Sequence, residues 1–81
     1  ETNTLVRISY QTEGVGKPLL SRAVRKFDID ANILLGGIDH LDNLILGNLI
    51  VEFSGDQPNI EGAIGYLEEN NVTCERVEYN G

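Results

Sequence analysis

One cysteine, one histidine and six basic residues are all that the 81-residue sequence supplies of the side chains most often recruited to metal, redox or phosphate chemistry. Cys74, alone, can neither close an internal disulfide nor furnish a thiolate cage for zinc, and a reducing, cytoplasmic setting is the simpler reading. His40 stands in the polar stretch Asp39-His40-Leu41-Asp42 with no second His or Cys to complete a ligand set. It reads as an exposed turn residue rather than a metal or proton site. No run of alternating acids closes on a glutamate as a calcium loop requires, and the scattered acids read as solvated faces. Neither a metal nor a cofactor is expected.

The shortage of Lys and Arg against thirteen acids leaves a formal net charge of −7. That excludes nucleic acid as a partner, because phosphate binding rests on clustered cations, and the tightest cluster here is Arg22, Arg25 and Lys26. It also disfavours contact with an anionic membrane surface. No apolar run approaches the roughly 20 residues needed to span a bilayer, and no signal peptide is visible, so direct membrane insertion is not expected.

What remains is a small globular domain. A chain of this length buries only about 60–65% of the surface its unfolded form exposes, so a partner subunit would help it. The nine glycines and two prolines are scattered, which leaves no low-complexity or linker segment. Residues 1–81 are therefore taken as one domain, and a first residue of Glu1 rather than Met is expected of a fragment of a larger chain.

Along the chain, Thr4 to Thr12 alternates Val6, Ile8 and Tyr10 with Leu5, Arg7 and Ser9, the period of a strand with two unlike faces. A loop with Gly14 and Gly16 follows. Pro18 suits the first turn of a helix in which Leu19, Leu20, Ala23, Val24 and Phe27 share one side. Ile29 to Ile38 is predicted as a second strand, Asp39 to Asn43 as a polar turn, and Leu44 to Ser54 as a third strand closing a hairpin. Ile60, Ala63, Ile64 and Leu67 mark a second helix beginning near Pro58. Val72 to Tyr79 reads as a last strand whose alternation is muddled, as at an edge or a bulge.

The order β-α-β-β-α-β predicts an α+β, ferredoxin-like fold: a four-stranded antiparallel sheet with two helices on one face. The helix-facing set is then Val6, Ile8, Tyr10, Ile33, Leu35, Leu49, Val51 and Phe53. The open face carries Leu5, Arg7, Asn32, Leu34, Asn48, Ile50 and Glu52. A sheet face with exposed Leu and Ile beside Asn calls for a partner or a ligand. Other uses of this fold lack their residues here. The loop Glu13-Gly14-Val15-Gly16-Lys17 is a poor phosphate trap for an acylphosphatase. Copper chaperones need Cys-x-x-Cys. RNA-recognition domains need aromatics on the open face. No G-x-x-x-x-G-K-[ST] loop exists for ATP.

Two segments carry a family resemblance. Ala31-Asn32-Ile33-Leu34-Leu35-Gly36-Gly37-Ile38, followed by the strand from Leu46-Gly47-Asn48-Leu49-Ile50-Val51 to Gly55, resembles the NIL domain. That family is named for the Asn-Ile-Leu run, here Asn32-Ile33-Leu34, and has a strand of the form Gly-x-Leu-x-Val-x-x-x-Gly, here Gly47 to Gly55. The resemblance extends from about Leu5 to Tyr79. It implies an ACT-like, ferredoxin-like fold and a regulatory rather than catalytic role. It further implies a place at the C-terminus of the ATP-binding subunit of a methionine ABC importer, at the cytoplasmic face of the membrane beside the transporter's membrane subunits. In that setting the domain forms a homodimer and binds L-methionine near the interface. Binding inhibits transport allosterically, a feedback called transinhibition.

The site residues implied are Asn32 with its neighbours Ile33, Leu34, Gly36, Gly47 and Ile50. An Asn amide can donate to a ligand carboxylate and accept from its ammonium, while glycines permit close backbone approach and apolar residues suit a thioether. Two other readings stay open. The exposed apolar face can serve dimerisation alone, with no ligand, and NIL domains are also found attached to iron–sulfur proteins. A small phosphatase using Lys17 is the third and least supported possibility.

Overall fold

The computed structural model describes residues 2–11, 18–41 and 44–77, with side chains for 3–10, 18–37 and 47–77. Strand β1 (Thr2–Gln11) leads to helix α1 (Leu19–Phe27). The hairpin strands β2 (Asp30–Leu41) and β3 (Leu44–Gly55) follow, then helix α2 (Gln57–Glu69) and strand β4 (Thr73–Arg76). The sheet order is β2-β3-β1-β4 with every neighbouring pair antiparallel, the ferredoxin-like arrangement expected from the sequence. The loop from Glu13 to Lys17 lies outside the described residues.

The helices form where spacing puts their apolar residues on one side. In α1 only Ala23 is fully covered, while Leu19, Leu20, Val24 and Phe27 lean on the core. Arg25 and Lys26 occupy its last turn, where cations suit the negative end of the helix dipole. Asp28 closes the helix in the left-handed region, at φ 54°, and the Ile29 N–H donates back to the Val24 carbonyl. Helix α2 buries Ile60, Ala63, Ile64 and Leu67. These meet Val6, Ile8, Val51 and Phe53 from the sheet, and Ile29 and Val72 close the ends of the cluster. Tyr10 and Leu49 pack partly buried against it.

Three expectations need correction. First, Ile33 and Leu35 are not in the core; they are 54% and 65% exposed. Ile33 faces Val51 near the free edge of β2, but the register shifts before Leu35, which pairs with Ile50. A β-bulge at Leu34 has inserted one residue, and an extra residue reverses the face of everything that follows it. Second, Asp39 to Leu41 are strand rather than turn, pairing with Leu46, Ile45 and Leu44. Backbone pairing within a hairpin is indifferent to the polarity of the side chains it carries. The side chains of Asp39 and His40, and all of Asp42, lie outside the described residues.

Third, Val72 is not part of β4, which covers Thr73–Arg76; Glu78 and Tyr79, also expected in this strand, lie outside the described residues. Val72 belongs to the end of α2, where its N–H donates to the Leu67 carbonyl, and it is 5% exposed. Cys74 and Arg76 follow on the helix side. Arg76 keeps its charge in solvent there by hydrogen-bonding Glu61 on α2. Glu75, between them, points to the open face.

Two glycines in α2 separate propensity from packing. A Cβ at Gly62 would lie 2.6 Å from Phe27 ring carbons, and that ring is already set against Tyr66, with centroids 6.2 Å apart. A Cβ at Gly65 would meet nothing within 4 Å. Helix propensity alone favours alanine at both by about 0.8–1 kcal/mol. Gly65→Ala is expected to raise stability by about that amount, whereas Gly62→Ala forces the ring aside and lowers it by about 1–2 kcal/mol. Urea unfolding midpoints of the two variants on either side of wild type would show it; two midpoints shifted upward together would refute it.

Candidate functional site

Both helices cover the same face of the sheet, so the other face is bare. Register assigns its residues. Strand β1 contributes Leu5, Arg7 and Ser9, which stand across from Glu52, Ile50 and Asn48 of β3. Strand β2 contributes Asn32, opposite Glu52, and, beyond the bulge, Leu35 opposite Ile50 and Gly37 opposite Asn48. On the far side, β4 sets Glu75 against Arg7 and Thr73 against Ser9. The bulge therefore gives this face a leucine that strict alternation would have turned toward the helices.

Polar side chains on this face hold one another. The Ser9 hydroxyl donates to the Asn48 amide oxygen at 2.8 Å, which leaves the Asn48 N–H donors directed elsewhere. Arg7 Nη1 donates to Glu75 Oε1, also at 2.8 Å, with both side chains about half exposed or more. Between these polar groups and β2 lies an open recess of about 220 Å³. Leu35 and Ile50 provide its apolar wall, Arg7 and Asn48 its polar side, and the backbone stretch through Gly36 and Gly37 a low rim, with Leu49 completing the lining. Of the two glycines, Gly37 lies on the open face, where a Cβ would meet nothing within 4 Å, whereas a Cβ on Gly36 would point to the helix side, 3.0 Å from Leu49 Cδ2. The volume falls below the roughly 300–1,000 Å³ of sites for drug-sized ligands, which suits an occupant the size of one amino acid.

Of the residues singled out from sequence, Gly36 and Ile50 line this recess. Asn32 lies exposed on the same face, one open-face step along β2 from Leu35, and no side-chain hydrogen bond among the described residues uses its amide. Leu34 is the inserted residue of the bulge and is 47% exposed, and Ile33 lies on the opposite face near the edge. Gly47 is buried, and the space its side chain would take is filled by the Tyr10 ring, 2.6 Å from the built Cβ position. Its lack of a side chain thus serves an aromatic packed toward the core rather than the recess. Arg7 and Asn48 line the recess without having been singled out as site residues. Alternation already set both on the open face, but only the strand register brings them beside Leu35.

Comparison with known proteins is consistent in family and fold. The NIL domain family model matches residues 4–76. The methionine import ATP-binding protein MetN 1 of Listeria innocua is 43% identical over 77 residues, covering 95% of this chain and 23% of its own length. The methionine import ATP-binding protein MetN of Protochlamydia amoebophila is 41% identical over 71 residues, covering 88% of this chain and 21% of its own. The chain thus spans less than a quarter of the length of these curated relatives. Among solved structures, the C-terminal domain of an ABC transporter/ATP-binding protein from Enterococcus faecalis superposes with a TM-score of 0.79 at 25% identity, over 95% of this chain and 86% of that one. The ACT domain of a GTP pyrophosphokinase from Chlorobium tepidum superposes with a TM-score of 0.52 at 20% identity, over 96% and 88% of the two chains, a likeness of fold alone.

Among the described residues the strongest titration shift lies away from the recess. Burial pushes the Cys74 thiol up to about 11, with the nearby Glu68 charge adding to the effect. On the α2 surface the hydrogen bond from Arg76, with a second from Gln57, holds Glu61 below its usual range. A thiol with so high a pKa is protonated at neutral pH and makes a poor nucleophile. Its thiolate fraction at pH 8 is roughly two-hundredfold smaller than that of an ordinary cysteine near 8.5. Alkylation by iodoacetamide should therefore be slow in the folded chain, accelerate up to about pH 11, and become ordinary in urea. A native rate that levels off by about pH 9, as for a free thiol, would contradict this.

Proposed function

The chain belongs to the NIL domain family, and on that premise we propose that it is the amino-acid-sensing domain of a methionine ABC importer's ATP-binding subunit. In this reading two copies pair through their strands and open faces. L-methionine binds on the open face at or near the seam, and occupancy inhibits transport. The observation that carries the reading is the recess beside the bulge, where an apolar wall of Leu35 and Ile50 faces polar groups on one exposed sheet surface. An apolar slot for a thioether with a few oriented polar groups is what a methionine site needs. Asn32 would contact the polar end of the ligand from its place on the same face, and a second copy would close the open mouth.

The regulatory step follows from linkage. A ligand that binds one arrangement of the domain pair more tightly than the other shifts the population toward it by that difference in affinity. The pair would pass that bias to the ATP-binding part of the importer. The domain itself would bind rather than catalyse. It would sit in the cytoplasm at the inner face of the membrane, held there by the transporter's membrane subunits; no helix among its described residues is long and apolar enough to cross.

A second reading has its own observation. Ile33, Leu34 and Leu35 are all exposed along the outer edge of the sheet, where β2 has no strand beyond it among the described residues. An unpartnered edge with apolar side chains invites pairing, so the domain could serve as a ligand-free dimerisation module. Light scattering combined with thermal unfolding separates the two: a dimer whose melting point ignores L-methionine favours assembly alone.

The deciding experiment is calorimetric titration with L-methionine. Saturable heat is expected from the wild type. Asn32→Ala is expected to bind about tenfold more weakly, the loss of one or two hydrogen bonds to a charged group. No heat at millimolar ligand from an intact wild-type dimer would sink the sensor proposal.

A further inference from the structure

Arg7 is the only cation among the described residues on the open face. Arg22, Arg25 and Lys26 lie on α1, and Arg76 is turned to the helix side and bonded to Glu61. Arg7 also occupies a central place. Its strand runs between β3 and β4, and its side chain both lines the recess and reaches Glu75. A guanidinium carries five N–H donors in a planar fork that matches a carboxylate two bonds at a time. The contact with Glu75 runs through Nη1 to one carboxylate oxygen. With both side chains half exposed or more, an ion pair of this kind contributes little to stability and is readily exchanged.

We infer that Arg7 anchors the carboxylate of the ligand in this recess, and that Glu75 is an internal anion which the ligand carboxylate displaces from it. The inference rests on the reading that the recess is the ligand site, and adds what that site selects: a free α-carboxylate joined to an apolar side chain. The arrangement has the required polarity. Leu35 and Ile50 stand at the β2–β3 side of the recess and Arg7 at the β1 side, so an amino acid with its carboxylate on Arg7 finds apolar side chains within the same recess. The Asn48 N–H donors, released from any need to satisfy Ser9, lie on the same polar side. A chain of net charge −7 repels simple anions, whereas a zwitterion carries its carboxylate in at no net charge. Held in reserve by Glu75, the guanidinium stays paired when the site is empty.

The two ends of the ion pair make the test. If the pair were only structural, Arg7→Gln and Glu75→Gln would break the same bond and alter methionine binding alike. If Arg7 is the anchor, they diverge. Calorimetric titration with L-methionine is expected to show Arg7→Gln weakened tenfold or more, and Glu75→Gln bound at least as tightly as wild type. L-methioninamide, which lacks the carboxylate, should bind wild type and Arg7→Gln equally weakly. This arm needs no stable Arg7 variant to give its first result: wild type preferring the amide, or indifferent to the change, overturns the inference. So do equal losses in Arg7→Gln and Glu75→Gln, or an Arg7→Gln variant that binds methionine as wild type does. A wild type that binds no methionine at all sinks the sensor reading as well, whereas methionine binding that ignores Arg7 leaves that reading standing and removes only the anchor.

Discussion

Between Ile33, opposite Val51, and Leu35, opposite Ile50, strand β2 takes two steps while β3 takes one. That single extra residue decides which leucine borders the candidate site. Without it, Leu34 would stand opposite Ile50 and Leu35 would point toward the helices beside Leu49; with the bulge, Leu35 takes the place opposite Ile50 and Gly36 the one opposite Leu49. With it, one strand carries residues for both layers: Ala31 packs against the core, and Leu35 borders the recess. Gly37, opposite Asn48, keeps the rim low, so the recess is shaped partly by a side chain that is missing.

The segregation of the two faces rests on ordinary packing. Val6, Ile8, Val51 and Phe53 press against Ile60, Ala63, Ile64 and Leu67, with Ala23, Ile29 and Val72 in the same cluster, and this layer between sheet and helices is the hydrophobic core of the described residues. Since the helices spend their apolar sides on it, nothing in the described chain is left to cover the opposite face. Small domains of this size have little surplus burial, and a face bearing leucine and isoleucine gains from being covered by a ligand or a second copy.

Much of this was legible in the sequence. The alternation of Val6, Ile8 and Tyr10, and the helical spacing from Ile60 to Leu67, gave the elements and their order, while Asn32-Ile33-Leu34 with Gly47 to Gly55 carried the family. What stayed hidden was register. Ile33, Leu34 and Leu35 are three apolar residues in a row, so no alternation existed there to betray a bulge, and no glycine marked it. Asp39 to Leu41 looked like a turn because polarity was taken as a guide to backbone state, which a hairpin ladder overrides. Arg7 and Asn48 were correctly set on the open face, but they are 41 positions apart in number (48 − 7), and only the pairing of β1 with β3 shows that they share one recess. Gly47 was read as a close approach of backbone to ligand; the close approach is real, but the neighbour is Tyr10.

Strand β4 has four residues and an exposed outer side, so backbone pairing alone fixes its alignment weakly. Its charges supply what its length does not. Glu75 meets Arg7 on one face, and the next residue, Arg76, meets Glu61 on the other. Slide the strand by one position and the order inverts: a glutamate arrives beside the acids of α2, and an arginine beside an arginine. Slid one position the other way, Cys74 faces Arg7 and Glu75 again turns toward Glu61, so two successive residues of opposite sign act as a key that turns in only one lock.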